Sequence, residues 1–156
     1  MTSHIFDAEG DLAPILPTKG TNEISEPLRM RVSSKHLSLA SPVFKDMLSR
    51  NFFEGITLHT IGSVEVLLSD NDTKALIVLL SIIRSQPSKI PSKVNLDFLT
   101  EMTILVDKYQ LRPVAALLSG YWIAALKHEI PSEWGEATYQ AVTTTSVDTR
   151  LPSLLR

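Results

Sequence analysis

The chain has 156 residues, of which 44% are hydrophobic and 21% charged, and its formal net charge at pH 7 is −2. A chain of this length and composition is expected to bury a core of its own, and it lacks the charge-rich, apolar-poor composition of disordered proteins. The small negative charge provides no positive field for a nucleic-acid backbone. The sequence contains no cysteine, which excludes disulfides, thiolate metal sites and thiol catalysis.

The first residues argue against export and against membrane insertion. Acidic residues occur at the N-terminus where a secretory signal would have a basic and then an apolar run, and no stretch of about 18 apolar residues follows. We therefore expect an intracellular protein, cytoplasmic or nuclear, that binds neither nucleic acid nor a membrane. Residues 1–9 are expected to be an N-terminal tail.

Three short strands are predicted from the pattern of apolar residues. Residues 12–16 form an apolar run, but Pro14 has no N–H to give to a sheet, so this strand is expected at an edge or broken. Residues 28–32 alternate apolar side chains with two arginines, which is typical of a half-buried strand. Residues 64–69 are predicted to form the third strand.

Two short helices are predicted after the second strand. Ser33 or Ser34 is an N-cap candidate for the first helix, because a serine hydroxyl accepts from the free N–H groups of a first turn. Ser41 and Pro42 are predicted to end this helix and begin the next, since proline is favoured at the first helical position. The helical spacing of the apolar residues identifies Phe44 as a core side chain.

Helices dominate the rest of the sequence. Residues 70–72 are expected to cap a central, mostly apolar helix over 73–85, and Asn95 is expected to open the next helix. A last helix is predicted from about Pro113 to about His128, with Trp122 in the core. Strands mixed with helices, followed by helices alone, indicate an α+β fold in which helices pack on a small sheet.

No arrangement of residues typical of catalysis or metal binding is visible. The histidines do not have the spacing of a metal site, and we expect His36 to be a partly buried, hydrogen-bonded side chain. The carboxylate pairs Asp7/Glu9 and Asp70/Asp72 lie where loops or helix caps account for them. The sequence contains neither a Gly-x-Ser-x-Gly elbow nor a glycine-rich phosphate loop. We therefore expect no enzymatic activity, no cofactor and no metal.

Several stretches together resemble a known domain. RMRVSSKHLSLASPVFKDML (residues 29–48), followed by NFFEG, a strand, DNDTKALIVLLSIIRS and LVDKYQL, resembles the BTB/POZ domain, and most of all the single-domain BTB proteins of filamentous fungi. The similarity spans about residues 10–127 and includes an Asp-apolar signature at Asp11. The family's pattern of histidine, leucine and Ser-x-x-Phe is filled here by His36, Leu37, Leu39, Ser41 and Phe44.

The resemblance implies a non-catalytic protein-interaction domain over residues 10–130, with a small mixed sheet flanked by a cluster of α-helices. Residues 131–156 would be a short helical or disordered extension. Many relatives dock a cullin scaffold, so the expected partner is a protein, with a cullin-based ubiquitin ligase as one candidate. The alternatives are a homo- or hetero-oligomerising scaffold, a transcriptional regulator subunit without cullin binding, or a small ligand-binding protein or enzyme whose site is assembled from distant residues.

The segment NFFEG, residues 51–55, matches the apolar-x-Glu pattern that cullin-binding relatives present in a loop. The resemblance assigns Phe52 as the apolar contact and Glu54 as the acidic contact. In the alternative, Phe52 and Phe53 both close the core and Glu54 is solvated. Arg84 stands where the family commonly has a tyrosine, which is a departure close to this region.

Dimerising relatives carry a helix before their first strand, which swaps between the two subunits. Only about ten residues precede Asp11 here, too few for a stable helix of that kind. We therefore expect no tight swapped homodimer.

Overall fold

The computed structural model describes residues 2–17 and 26–127, and within them the protein is an α+β structure, as the sequence predicts. The strands are β1 (Thr2–Ile5), β2 (Leu12–Leu16), β3 (Leu28–Arg31) and β4 (Val64–Leu67). The α-helices are α1 (Ser34–Ala40), α2 (Pro42–Met47), α3 (Phe53–Ile61), α4 (Thr73–Ile83), α5 (Leu96–Lys108) and α6 (Arg112–Leu126), with a short 3₁₀ helix at Pro87–Lys89.

The four strands form one mixed sheet in the order β1-β3-β2-β4. Strands β2 and β3 are antiparallel, whereas β1 runs parallel to β3 and β4 runs parallel to β2. Side chains alternate between the two faces of the sheet. Those of Leu12, Met30 and Val66 are buried and belong to one core cluster with the apolar sides of the helices.

The expectation for β2 is half right. The strand is not at an edge, since it lies between β3 and β4, but its ladder with β3 is interrupted at Pro14. Leu12 exchanges two hydrogen bonds with Val32, and pairing resumes only at Ile15 opposite Arg29. Bonded pairs recur every second residue in an antiparallel ladder, and the next such position on β2 is the proline, which has no N–H to donate.

The segment predicted to be an N-terminal tail contains β1. Strand β1 pairs with β3, with His4 opposite Met30, and the N–H of Phe6 then donates to the carbonyl of Arg31 at 3.0 Å. Phe6 is buried in the core cluster. The predicted N-terminal tail is therefore wrong for β1 and Phe6. Burial of Phe6 and pairing with the edge of β3 stabilise this strand, and neither is visible in the local sequence pattern.

The predicted helix starts are confirmed. Ser33 caps α1, Ser41 caps α2 with Pro42 as its first residue, and Asn95 caps α5. Asp72 caps α4 by accepting from the N–H of Ala75 at 2.8 Å. Helix α4 is central, as expected, with six of its residues buried.

Both aromatic residues predicted to anchor the core are buried. Phe44 lies in the core cluster, and Trp122 is among the largest fully buried side chains. The indole N–H of Trp122 donates to the carbonyl of Pro91 at 3.0 Å, which joins α6 to the segment before α5. The last helix begins as predicted, and its predicted end at His128 and the extension at 131–156 lie outside the described residues.

Helix α3 is, with β1, an element that the sequence analysis did not predict. Its isoleucines, threonines and glycine favour other structures over a helix. Gly55 allows the helix to form against the preceding turn, because a Cβ atom at this position would overlap the backbone of Ser49. Gly62, at φ 86°, ends the helix in the left-handed conformation that suits glycine.

Candidate protein-binding surface

Three of the residues quoted for the family resemblance, Ser41, Phe44 and Asn71, contact Tyr109. The Ser41 hydroxyl donates to the carbonyl of Tyr109, and the ring of Phe44 stacks on the Tyr109 ring with centroids 4.6 Å apart. The side-chain amide of Asn71 donates to the Tyr109 hydroxyl at 3.0 Å. All three contacts hold elements of the fold together.

The phenol group of Tyr109 is buried and hydrogen-bonded. Burial raises the pKa of Tyr109, the hydrogen bond with Asn71 opposes that shift, and the charge of Asp70 adds to it. The phenol therefore stays neutral over the ordinary pH range. Lys108 also donates to the Asn71 side chain at 3.2 Å, so the polar atoms of this buried cluster bind one another.

The motif residue Asp11 also has a structural partner. Its carboxylate accepts from the N–H and from the hydroxyl of Ser34, both at 2.7 Å. The negative charge thus lies at the start of α1. There it accepts a hydrogen bond from a free N–H of the first turn and interacts favourably with the positive end of the helix dipole.

The candidates for chemistry do not assemble into a site. His36 is exposed, contrary to our expectation of a partly buried side chain, and the cavity beside it has a volume of about 10 Å³ with no carboxylate in its lining. Asp7 accepts from the N–H of Glu9 within a turn. Among residues 2–17 and 26–127, no three histidine or acidic side chains group as metal ligands would.

The segment NFFEG is only partly a loop. Phe52 is the N-cap residue of α3, and Phe53, Glu54 and Gly55 form its first turn. Phe52 is 51% exposed and Phe53 is 78% exposed, so the alternative in which both phenylalanines close the core is wrong. Glu54 is half-buried in the first turn, where a carboxylate also stabilises the positive end of the helix.

Helix α3 exposes an apolar side to solvent. Exposed apolar residues on a protein surface are usually scattered singly. In the described part of the chain, however, four of the ten exposed large hydrophobic side chains lie within residues 52–61. Successive residues of an α-helix are rotated by about 100° around its axis. The outward residues of α3 therefore lie within an arc of about 140°, and Gly55 and Leu58 lie on the opposite side of the helix. The outward residues, with Phe52, form what we term the α3 surface: Phe52, Phe53, Ile56, Thr57, Thr60 and Ile61.

The two threonines do little to make the α3 surface polar. The Thr57 hydroxyl donates to the carbonyl of Phe53 at 2.9 Å, and the Thr60 hydroxyl donates to that of Ile56 at 2.8 Å. Each hydroxyl hydrogen is therefore used within the helix. The surface consequently presents two aromatic rings and aliphatic groups, a composition typical of the centre of a protein interface.

Arg84, the departure from the family pattern, acts within the chain. Its guanidinium group lies 3.4 Å from the Asp7 carboxylate and donates to the carbonyl of Phe6. Gln86 donates to the same carbonyl at 3.3 Å. The end of α4 thus holds the chain that follows β1, and Arg84 is engaged inside the molecule.

Comparison of the sequence with protein-family models and with curated proteins finds no significant match. The structure shows the α+β architecture, whereas the resemblance to the BTB/POZ domain rests on the residues quoted above. In the described residues, no helix has the length and apolar character needed to cross a membrane.

Proposed function

We propose that the protein is a non-catalytic protein-interaction module of the BTB/POZ type. The observation that carries this proposal is the α3 surface, on which Phe52, Phe53, Ile56 and Ile61 are each at least half exposed within one short segment. Exposed apolar patches of this kind mark contact sites for other proteins, and aromatic side chains are over-represented among the residues that dominate binding.

The architecture supports the same proposal. The resemblance implies a small mixed sheet flanked by helices, and the chain has a mixed four-stranded sheet whose buried side chains share one core with those of the helices. The motif residues Asp11, Ser41 and Asn71 bond to other residues of the chain, so they hold the fold together.

A cullin scaffold is the partner that we propose. The family resemblance gives Phe52 and Glu54 the role of contact residues, and both lie at the start of α3. Phe52 is half exposed beside the larger apolar area, and Glu54 provides a charge at its rim. An aromatic anchor bordered by a charged residue is a common arrangement in interfaces.

Calorimetric titration of the full chain with the N-terminal domain of a cullin tests this role. We expect the wild-type chain to bind, Phe52→Ala to bind at least about tenfold more weakly, and Glu54→Gln to bind more weakly to a smaller degree. Leu96→Ala is the matched control, because Leu96 is an exposed apolar residue on α5. Equal binding by wild type and both folded α3 variants would refute the contact, and no binding by wild type would refute the cullin role.

We also propose that the chain forms no tight swapped dimer. Strand β1 pairs with β3 of its own chain, and Arg84 and Gln86 hold the residue that follows it. Exchange of this strand would break those contacts only to form them again in the other subunit, with no net gain. Analytical ultracentrifugation of the chain is expected to give a monomer at sub-micromolar concentration, and a dimer that persists there would contradict the proposal.

A further inference from the structure

The face of the sheet opposite the core carries a cleft of about 430 Å³. Its lining includes Ala13 of β2, Arg29 and Arg31 of β3, Glu65 of β4 and Thr57 of α3. The cleft therefore lies against the helix that carries the α3 surface. None of the sequence motifs pointed to it, because its lining comes from four separate elements.

The guanidinium groups of Arg29 and Arg31 line this cleft, and only that of Arg29 forms an ion pair with a described carboxylate. Arg29 and Arg31 are two residues apart on one strand, so their side chains leave the same face. A terminal nitrogen of Arg29 lies 2.7 Å from a Glu65 carboxylate oxygen, while its Nε is buried without a hydrogen-bond partner. The Nε of Arg31 donates to the carbonyl of Gly10 at 2.8 Å, and no carboxylate in the described residues forms an ion pair with Arg31.

The acidic groups in the lining do not neutralise Arg31. The Asp11 carboxylate is used by the N–H and hydroxyl of Ser34. The Glu65 carboxylate binds Arg29 on the other side of the intervening strand β2. Among the described residues, Arg31 thus contributes a positive charge without a paired carboxylate, and a carboxylate from a partner would form a charge-assisted bond with it.

We propose that this cleft binds a side-chain carboxylate from an acidic segment of a protein partner. The contact between Glu65 and Arg29 shows that a carboxylate fits against this wall of the cleft, and guanidinium groups bind carboxylates in a planar, two-bond geometry. A small apolar ligand fits less well, because such ligands are held in sites lined mainly by hydrophobic side chains.

The position of the cleft favours a partner that also contacts α3. Thr57 lines the cleft and belongs to the α3 surface, so an extended segment can place its carboxylate on Arg31 and an apolar neighbour on the helix. That the carboxylate comes from a protein rests on the function proposed above. The carboxylate site itself rests on the two arginines alone.

NMR titration of the ¹⁵N-labelled full chain with a blocked peptide, acetyl-Gly-Glu-Leu-Glu-Gly-amide, tests the proposal. We expect shifts of the arginine Nε signals and of the amides of Ala13 and Thr57, and no such shifts with the peptide in which both acids are glutamine. Arg31→Gln is expected to weaken binding about tenfold, since it removes a charge-assisted contact. Arg112→Gln is the control, because that exposed arginine pairs with Asp107 at the start of α6.

Glu65→Gln gives a result of opposite sign. Removing the carboxylate that competes for Arg29 is expected to strengthen binding of the acidic peptide, and this variant does not alter the contact between Arg31 and Gly10. Equal binding of the acidic and amide peptides, or affinity unchanged by both Arg31→Gln and Glu65→Gln, would overturn the site. Acidic-peptide binding without cullin binding would refute only the cullin role, and cullin binding without peptide binding would refute only the cleft.

Discussion

The Ser41 hydroxyl donates to the carbonyl of Tyr109 at 2.5 Å, across 68 residues of sequence. The same oxygen accepts from the N–H of Phe44 at 3.1 Å, so one side chain caps α2 and binds the end of α5. Both bonds are buried. A single serine therefore couples a local event, the start of a helix, to the packing of two distant parts of the chain.

Ser41→Ala is expected to destabilise the protein by about 2–4 kcal/mol, since it removes an N-cap and leaves a buried carbonyl without its donor. Ser33→Ala is the matched control, because Ser33 also caps a helix but through an exposed hydrogen bond of 3.5 Å. The control is expected to lose no more than about 1 kcal/mol. Urea denaturation measures both, and equal losses would show that the bond to Tyr109 contributes nothing.

Phe44→Ala is expected to lower the free energy of unfolding by about 3–5 kcal/mol, because it opens a cavity in the core and removes the stacking on Tyr109. Leu39→Ala provides the comparison, since Leu39 lies on the neighbouring helix and is 87% exposed. Its denaturation midpoint is expected to stay close to that of wild type. A midpoint for Phe44→Ala within error of wild type would contradict the role of Phe44 in the core.

The parts of the fold that could be predicted are those with local physical causes. A cap such as Asp72 binds an N–H three residues away, and the alternation in β3 reflects the two faces of one strand. The order of strands depends instead on pairing between distant segments. Pro14 marks a break in one ladder, but the sequence cannot say that β4 would pair with the other side of β2.

The candidate site was predictable only in part for the same reason. Phe52 and Glu54 could be named from a short pattern, yet the helix that carries the rest of the α3 surface depends on how closely Gly55 approaches Ser49. Exposure of Ile56 and Ile61 likewise depends on which side of α3 faces the core. The cleft on the sheet brings together strands β2, β3 and β4, and this proximity exists only in the folded chain.

Stability is expected to fall as the pH drops below about 6.5, because of His4. Burial, and secondarily the charge of Lys89, lower the pKa of His4 from its ordinary value of 6.5. The Nε2 atom is buried without a hydrogen-bond partner, so a proton there would lack an acceptor. Between the two pKa values the unfolded chain binds more protons than the folded chain, and acid therefore favours unfolding.

Urea denaturation between about pH 5 and about pH 8 measures this effect as a difference between variants. His4→Leu is expected to reduce the loss of stability in acid, because the leucine does not titrate. His36→Gln is the control for replacing a histidine at an exposed position. An identical pH dependence for wild type and His4→Leu would show that His4 titrates alike in both states.

Two glycines in helices are expected to respond to alanine with opposite signs. Alanine is the better helix former by about 1 kcal/mol, so Gly120→Ala in α6, where nothing lies within 4 Å of an added Cβ, is expected to stabilise the protein slightly. At Gly55 the added carbon would overlap the backbone of Ser49, and the helix would have to move. Gly55→Ala is therefore expected to lose about 1–3 kcal/mol, the usual range for overpacking. Thermal or urea unfolding compares the two variants, and stabilisation by both would show that α3 does not pack on the turn before it.

If α3 does move in Gly55→Ala, the α3 surface moves with it, so this variant is also expected to bind the cullin domain more weakly than Gly120→Ala does.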